Sequence, residues 1–372
     1  MNIDLKGSII SQVDTIIQQA VVYGVSDIHI EPYEKKVRVR YRLDGKLIEV
    51  AVIPVQQKDA LVSRIKVMAS LDIAEKRRPQ DGRIKIQKQG QSDIDLRISI
   101  LPVQFGEKVV IRILDRSNLK LDLDVLGFEE RELALFRKAI KQPYGLILVT
   151  GPTGSGKSTT LYSALNEINS PDQNIITIED PIEYNLMGIN QSQVHEEIGL
   201  SFAAILRSIL RQDPNVVMVG EIRDKETAEI AIRASLTGHL VFSTLHTNDS
   251  VSAISRLIDM GVPPFLIAAS LKLVLAQRLV RKLCVECKQE KDSKFVPQGC
   301  EVCNHTGFKG RTSIIEALEV DDDLTQMISH AENEGIIREY IRKIGMPTLK
   351  EAGEKKVLAG ITTIDEVYNE TI

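Results

Sequence analysis

The sequence predicts an α/β protein in which a small α+β domain precedes a larger domain built on a mostly parallel sheet. The first observation is a series of short apolar runs, each followed by a glycine-containing turn or a helical pattern. These runs suit buried parallel strands and comprise residues 146–149, 175–178, 216–219 and 240–243. The second is the alternation of apolar and arginine residues over 37–43, which is typical of a strand with one buried face.

Length and composition indicate a folded chain of more than one domain. The 372 residues are 43% hydrophobic and 26% charged, which differs from the low hydrophobicity of disordered chains. A net charge of −4, 4% aromatic residues and no tryptophan argue against a protein that coats nucleic acid. The longest apolar stretch, Pro264 to Leu271, ends at Lys272 and is too short to span a bilayer. We expect a cytoplasmic protein.

The small domain, residues 1–115, begins with an amphipathic helix over 13–21 that ends near Gly24. Asp44-Gly45 then connects two strands as a hairpin. The patterns that follow predict a helix at 56–71 and strands at 83–87, 94–99 and 109–114. Residues 116–130 are interpreted as a linker. The larger domain then covers 131–372, with a cysteine-bearing subdomain at 281–311 and a helical region at 312–372.

A phosphate-binding loop follows the first buried strand. The segment Gly151-Pro152-Thr153-Gly154-Ser155-Gly156-Lys157-Ser158 matches G-x-x-x-x-G-K-[ST], and Thr159 opens a helical pattern. Backbone N–H groups of such a loop face phosphates, the lysine neutralises β/γ charge and the serine hydroxyl reaches Mg²⁺. The competing interpretation is a chance glycine-rich turn, which the strand–loop–helix order disfavours. We predict binding of ATP with Mg²⁺.

Acidic residues follow two other predicted strands. Glu221 comes directly after 216–219 and is the candidate general base for activating water, with a solvated loop glutamate as the alternative. Three acids, Glu179, Asp180 and Glu183, follow 175–178 and are candidates for holding Mg²⁺ or its waters through their oxygens, Glu179 first among them. Glu179 and Glu183 are also candidates for catalysis. Each of these acids can instead be an ordinary surface residue.

Four cysteines form two C-x-x-C pairs separated by twelve residues, namely Cys284, Cys287, Cys300 and Cys303. This spacing predicts a closed Cys₄ site for structural Zn²⁺. Two redox-active pairs are the alternative, but no thioredoxin-like pattern surrounds them.

Several segments together resemble the ATPases of type II secretion and type IV pilus assembly, and most closely the pilus extension ATPases. The phosphate loop resembles that family's Walker A motif. Residues 178–184 resemble the family's Asp box, 210–224 its Walker B region and 237–248 its His box. Residues 26–32, 78–83 and 277–281 also look like family signatures. The likeness therefore covers nearly the whole chain.

The resemblance implies a RecA-like P-loop domain, a homo-hexamer, and ATP bound between the two domains. It further implies hydrolysis-driven domain motion, docking on an inner-membrane platform protein, peripheral membrane association through partners, and no direct contact with nucleic acid. The tetracysteine element favours the extension or secretion branch over retraction ATPases. Full-length assembly ATPases carry a further N-terminal domain with no counterpart here, so we expect a naturally short or a truncated form.

The resemblance also assigns roles to arginines and histidines. Arg83 and Arg97 match positions that reach the nucleotide. The family also has arginines near the phosphates or at a subunit boundary, and the matching positions here are Arg207, Arg211 and Arg311. His239 and His246 become candidate γ-phosphate sensors. Without the resemblance, solvated or ion-paired arginines and packed histidines are the alternatives.

One position departs from the family pattern, since Asn215 stands where an aspartate is usual. The favoured function is pilus extension, with type II pseudopilus assembly as the alternative. A retraction or conjugation-type ATPase and a nucleotide-gated scaffold that does not hydrolyse ATP are further alternatives. Retention of Glu221 argues against the scaffold.

Overall fold

The computed structural model describes residues 3–86, 94–114, 121–292 and 294–371. The chain divides into two compact units, one comprising Met1–Leu119 with Cys300–Thr306, the other Lys120–Gly299 with Gly307–Ile372. None of the helices in the described ranges combines the length and apolar character that crossing a membrane requires.

The first unit is a six-stranded antiparallel sheet with two helices. Its elements, in chain order, are α1 (Ile9–Val22), β1 (Asp27–Pro32), β2 (Lys36–Leu43), β3 (Lys46–Pro54), α2 (Lys58–Met68), β4 (Gln80–Ile86), β5 (Ile94–Val103) and β6 (Gly106–Leu114). The strand order is β3-β2-β1-β6-β5-β4. The predicted helices and hairpin are confirmed, whereas β4 begins three residues before the predicted strand and Gln87 lies outside the described residues.

The alternation in β2 explains why this sheet has one apolar and one charged face. Val37, Val39 and Tyr41 are buried, and the Tyr41 hydroxyl donates to the Ile16 carbonyl of α1. The arginines between them point to the opposite face, where Arg38 and Arg40 pair with Glu31 of β1. These ion pairs lower the pKa of Glu31 to about 2 although burial opposes the shift.

The second unit is built on a seven-stranded sheet. Its elements are α3 (Glu130–Ile140), β7 (Gly145–Thr150), α4 (Lys157–Ile168), β8 (Ile175–Glu179), β9 (Asn190–Gln193), α5 (Phe202–Ile209), β10 (Val216–Val219), α6 (Lys225–Leu236), β11 (Leu240–Leu245), α7 (Ser250–Asp259), α8 (Pro264–Ser270), β12 (Leu271–Leu283), β13 (Gln289–Lys291), β14 (Lys294–Val296), β15 (Phe308–Glu319), α9 (Asp322–Ser329), α10 (Glu334–Lys343), α11 (Leu349–Leu358) and α12 (Ile364–Thr371). The sheet order is β15-β12-β7-β11-β10-β8-β9. All of its pairings are parallel except that of β12 with β15.

The parallel strands bring the ends of four sequence motifs to one edge of the sheet. β7, β8, β10 and β11 are fully buried along their lengths, as their apolar composition predicts. Because neighbouring parallel strands run in the same direction, the residues after Thr150, Glu179, Val219 and Leu245 emerge at a common carboxyl edge.

Two segments differ from the sequence interpretation. The described part of the predicted linker packs in the second unit: Leu123 is 1% exposed in its core, and Phe128 stacks on Phe136 at 5.6 Å. The region 312–372, predicted as helical, begins inside strand β15, and its first helix starts at Asp322. β15 pairs with the long strand β12, and a pairing between strands so far apart in the chain leaves no local pattern.

Candidate nucleotide-binding site

The phosphate loop connects β7 to α4 in the conformation that its glycines allow. Gly154 and Gly156 have φ of 85° and 89°, a region that side chains with a Cβ rarely adopt. Lys157 opens α4, and its Nζ donates to the carbonyls of Gly151 at 2.8 Å and Pro152 at 3.0 Å. Pro152, Thr153, Gly154 and Ser158 are exposed, so the loop presents its outer surface and the first turn of α4 to solvent.

Two observations fit this loop to a phosphate-bearing ligand. The buried Ser155 Oγ has no hydrogen-bond partner among the described residues. Burial lowers the pKa of Lys157 to about 8, an effect that the nearby Glu221 carboxylate opposes. A desolvated ammonium group and an unsatisfied hydroxyl beside a helix N-terminus are what an anion satisfies. Ser158 in the first helical turn is positioned to supply a hydroxyl ligand to Mg²⁺.

The rear of the phosphate loop is held by a side chain from β12. Gln277 is 2% exposed; its amide donates to the Ser155 carbonyl at 2.9 Å and its oxygen accepts from Thr160 Oγ1 at 2.7 Å. A Cβ on Gly156 would lie 2.7 Å from Gln277 Nε2, so this close approach requires glycine. Sequence reasoning noted residues 277–281 as a family signature but assigned Gln277 no role.

Glu221 lies where the sequence places it, just beyond β10 at the carboxyl edge of the sheet. Its Oε1 accepts a hydrogen bond from Arg223 Nη2, and His246 Nε2 lies 3.4 Å from its Oε2. Arg223 Nη1 also lies 3.7 Å from Asp180 Oδ2. The structure thus brings together the candidate base Glu221, Asp180 directly after β8, and one of the two predicted sensors, His246. Arg223 was missed by the sequence analysis, because no local pattern distinguishes it from a surface arginine.

Glu179 has a different environment from the one the sequence interpretation assumed. It is 5% exposed, and its carboxylate accepts hydrogen bonds from Tyr162, from Thr177 Oγ1 at 2.6 Å and from Gln191 Nε2 at 2.9 Å. Three donors occupy most of the acceptor capacity of a carboxylate. The geometry therefore favours an anchoring role for Glu179 over direct coordination of Mg²⁺. Glu183, four residues further on, is half-buried and its backbone N–H donates to the Tyr162 hydroxyl at 3.4 Å.

The two predicted histidine sensors lie at opposite ends of β11. His246 follows the strand at the carboxyl edge, beside Glu221. His239 precedes the strand, roughly 20 Å away along the chain, and its Nδ1 contacts the Ala234 carbonyl at 2.9 Å. His239 is therefore not part of the group around Glu221. The sequence could not separate the two roles, because both histidines flank the same strand.

Asn215 also lies at the amino edge of the sheet, before β10. Its Oδ1 accepts from the Asn174 backbone N–H at 2.7 Å. A carboxylate oxygen can accept the same bond, so the change from the family's aspartate keeps this contact.

The predicted arginines are distributed over both units. In the second, Arg207 of α5 pairs with Glu226, and Arg211 donates to the Arg207 carbonyl at 2.8 Å. Arg311 of β15 is exposed and pairs across the strands with Arg281 of β12. Arg281 lies five residues after the β12 residue that pairs with Thr150. In the first unit, Arg83 and Arg97 are cross-strand neighbours on β4 and β5. Two adjacent like charges on a strand pair repel each other.

The four predicted zinc ligands come together. The sulfur atoms of Cys284, Cys287, Cys300 and Cys303 all lie within 4.8 Å of one another, and Cys300 Sγ and Cys303 Sγ are 3.7 Å apart. Tetrahedral ligands of zinc with Zn–S bonds of 2.3 Å are about 3.8 Å apart. Backbone N–H groups of Gly299 and Cys300 donate to two of the sulfurs. The donor set and spacing fit Zn²⁺ with no open coordination position.

Comparison with known proteins gives this geometry a context. Residues 3–369 match the family model described as Type II/IV secretion system protein. The chain is 49% identical over 383 residues to the type IV pilus assembly ATPase PilB of Myxococcus xanthus, covering 98% of the chain and 68% of that protein. It is 51% identical over 380 residues to the type II secretion system ATPase E of Vibrio cholerae, covering 98% and 75%.

Solved structures agree on the fold. The Legionella pneumophila ATPase DotB has a TM-score of 0.73 at 22% identity, covering 96% of this chain and 94% of that one. The pilus retraction motor PilT with bound ADP has a TM-score of 0.65 at 27% identity, with 95% coverage of both. The predicted fold class, a P-loop α/β domain after a small α+β domain, is confirmed.

Proposed function

Because the chain belongs to the type II/IV secretion system protein family, we propose that it is a hexameric ATPase motor whose ATP hydrolysis drives type IV pilus extension. The observation that carries the proposal is that the phosphate loop and Glu221 follow strands β7 and β10 at the same carboxyl edge of the parallel sheet. There the Glu221 carboxylate opposes the lowering of the Lys157 pKa by burial. A loop for phosphates and a carboxylate able to accept a proton from water are the two parts that hydrolysis requires.

The residues of the site divide the work of hydrolysis as follows. Lys157 and the loop N–H groups bind the phosphates, and Ser158 would hold Mg²⁺, which would supply further positive charge beside them. Glu221 orients and deprotonates the attacking water, while Arg223 and His246 fix the orientation of its carboxylate. His246 also reports occupancy of the phosphate position. Arg83, Arg97, Arg207, Arg211 and Arg311 contribute positive charge to the nucleotide or to a neighbouring subunit.

We propose that zinc stabilises the segment between the two C-x-x-C pairs and takes no part in chemistry, since four thiolates leave no position for substrate. The motor docks on an inner-membrane platform protein and reaches the membrane only through such partners. It is therefore a cytoplasmic protein at the periphery of the inner membrane.

Assembly of a type II secretion pseudopilus is the second candidate function. It is favoured by the similarity to ATPase E of Vibrio cholerae, which is as high as that to the pilus assembly ATPase. Both candidates use the same chemistry and differ in the filament that is built.

The experiment that tests pilus extension introduces Glu221→Gln into the chromosomal gene of the source cells. We expect surface pili to disappear while the protein level stays unchanged, because the amide cannot accept a proton from water. The matched control is Glu229→Gln, which changes a carboxylate paired with Lys225 on the surface of α6. Loss of a secreted protein with pili intact would instead establish the secretion function, and an unchanged phenotype on both counts would contradict both candidates.

A further inference from the structure

Tyr162 links the helix of the phosphate loop to the acidic segment that follows β8. It lies on α4, five residues after Lys157, and is 1% exposed. The acidic segment, Glu179–Tyr184, leaves the carboxyl end of β8. Two elements that each supply residues to the site are thus in direct contact through one side chain.

The hydroxyl group of Tyr162 acts in both directions. It donates to Glu179 Oε2 and accepts from the Glu183 backbone N–H at 3.4 Å. The ring packs edge to face on Tyr184, with centroids 6.4 Å apart and an interplanar angle of 78°. One side chain therefore contacts the first, the fifth and the last residue of the acidic segment.

The other donors to Glu179 come from the sheet. Thr177 lies on β8 itself, and Gln191 on the neighbouring strand β9. Among these three donors Tyr162 alone belongs to the helix that carries Lys157 and Ser158. Thr177 and Gln191 satisfy the buried carboxylate, whereas Tyr162 also fixes its position relative to the phosphate loop.

The hydroxyl remains a proton donor at all physiological pH values. Burial raises the pKa of Tyr162, and its hydrogen bond to Glu179 raises that pKa further.

We propose that Tyr162 is a positioning residue, which holds the acidic segment in register with Lys157 and Ser158 so that Asp180 and Glu183 face the Mg²⁺–ATP complex. This inference rests on the proposed ATPase function. Catalysis by positioned groups falls steeply when they move by about 1 Å, so the loss of one buried hydroxyl is enough to expose the role.

The test compares Tyr162→Phe with the wild type in steady-state hydrolysis at varied Mg²⁺ and in ATP binding with and without Mg²⁺. We expect kcat to fall about ten-fold. The Mg²⁺ concentration for half-maximal rate should rise several-fold, while ATP affinity without Mg²⁺ changes by less than about two-fold, because the phosphate loop itself is intact.

Two further variants test whether Tyr162 positions the acidic segment or merely supplies a hydrogen bond to the buried Glu179 carboxylate. Thr177→Val removes another donor to Glu179 and keeps the side-chain shape, and we expect less than about a three-fold change in kcat. Tyr340→Phe removes a hydroxyl that donates to Asp321 at the start of α9, and should change nothing. An effect of Thr177→Val as large as that of Tyr162→Phe overturns the proposal, as does a Tyr162→Phe variant with wild-type kcat and Mg²⁺ dependence.

Failure of the proposed function has a different signature. A wild type that binds ATP without turnover contradicts the ATPase proposal, but the contribution of Mg²⁺ to ATP affinity can still be measured. Tyr162→Phe should weaken that contribution several-fold while Tyr340→Phe retains it. Equal contributions in all variants would overturn the positioning role irrespective of turnover.

Discussion

At the scale of single residues, the site is defined by charges in unusual surroundings. Lys157 is buried beneath the phosphate loop, where two carbonyl groups are its hydrogen-bond partners. Glu221 is positioned by Arg223 and His246. A perturbed group such as Lys157 at the edge of a parallel sheet is typical of functional sites, where stability is given up for binding.

The buried lysine leads to a prediction about stability. In the absence of nucleotide, Lys157→Met should raise the free energy of unfolding by about 1–2 kcal/mol at pH 7. The reason is that burying the charged ammonium group costs free energy, whereas burying the uncharged methionine side chain does not. The lysine pKa is about 8 when folded and near 10.5 when unfolded. The stability gained by the methionine variant over the wild type should therefore be fully present below pH 8. It should decline as the pH rises from 8 to 10.5, because the lysine is then neutral in the folded wild type.

Thermal unfolding of both proteins at pH 7 and pH 10 measures this difference. Lys141→Met, at an exposed lysine after α3, is the control and should show little change at either pH. A Lys157→Met variant less stable than the wild type at pH 7 would mean that the two carbonyl contacts outweigh the cost of burial.

At the scale of elements, strand β15 organises the helices around the sheet. Glu316 is 6% exposed; it accepts from the Ser250 backbone N–H at 3.0 Å and hydroxyl, and from the Leu349 N–H at 3.2 Å. Ser250 and Leu349 are the first residues of α7 and α11. One carboxylate thus satisfies backbone donors at two helix N-termini, where negative charge is favoured.

We predict that Glu316→Gln lowers the free energy of unfolding by about 1–3 kcal/mol, because an amide turns donor hydrogens toward groups that are themselves donors. Glu319→Gln on the same strand is the matched control. Its carboxylate pairs with Lys138 in a largely exposed position, so the expected cost is below about 0.5 kcal/mol. Calorimetric unfolding of the two variants distinguishes them, and equal melting temperatures would exclude the double-capping role.

The elements also show what the sequence could predict. The phosphate loop and the cysteine pairs depend on spacing along the chain, and Glu221 on its place after an apolar strand, so all were found from the sequence. The hydrogen bond from Thr160 to Gln277 joins residues 117 positions apart and leaves no local pattern. The helix–strand boundary at Ser270 was equally hidden, because α8 passes directly into β12 without a turn residue.

At the scale of the whole molecule, the two units carry different functional groups. The second holds the phosphate loop, the acidic residues and His246, whereas the first offers a sheet face rich in arginine. The fold accounts for nucleotide binding within one unit. The proposed work, motion of one domain against the other in a ring of six subunits, requires assembly, and an isolated subunit should turn over ATP slowly.

The most direct test of ATP hydrolysis by an assembled motor is phosphate release from Mg²⁺–ATP as a function of protein concentration, for the wild type and Glu221→Gln in parallel. We expect a specific activity that rises as the protein assembles and that falls by at least about 100-fold in the variant at every concentration. Tight binding of ATP by both proteins without release of phosphate by either would contradict this expectation and identify a nucleotide-gated scaffold.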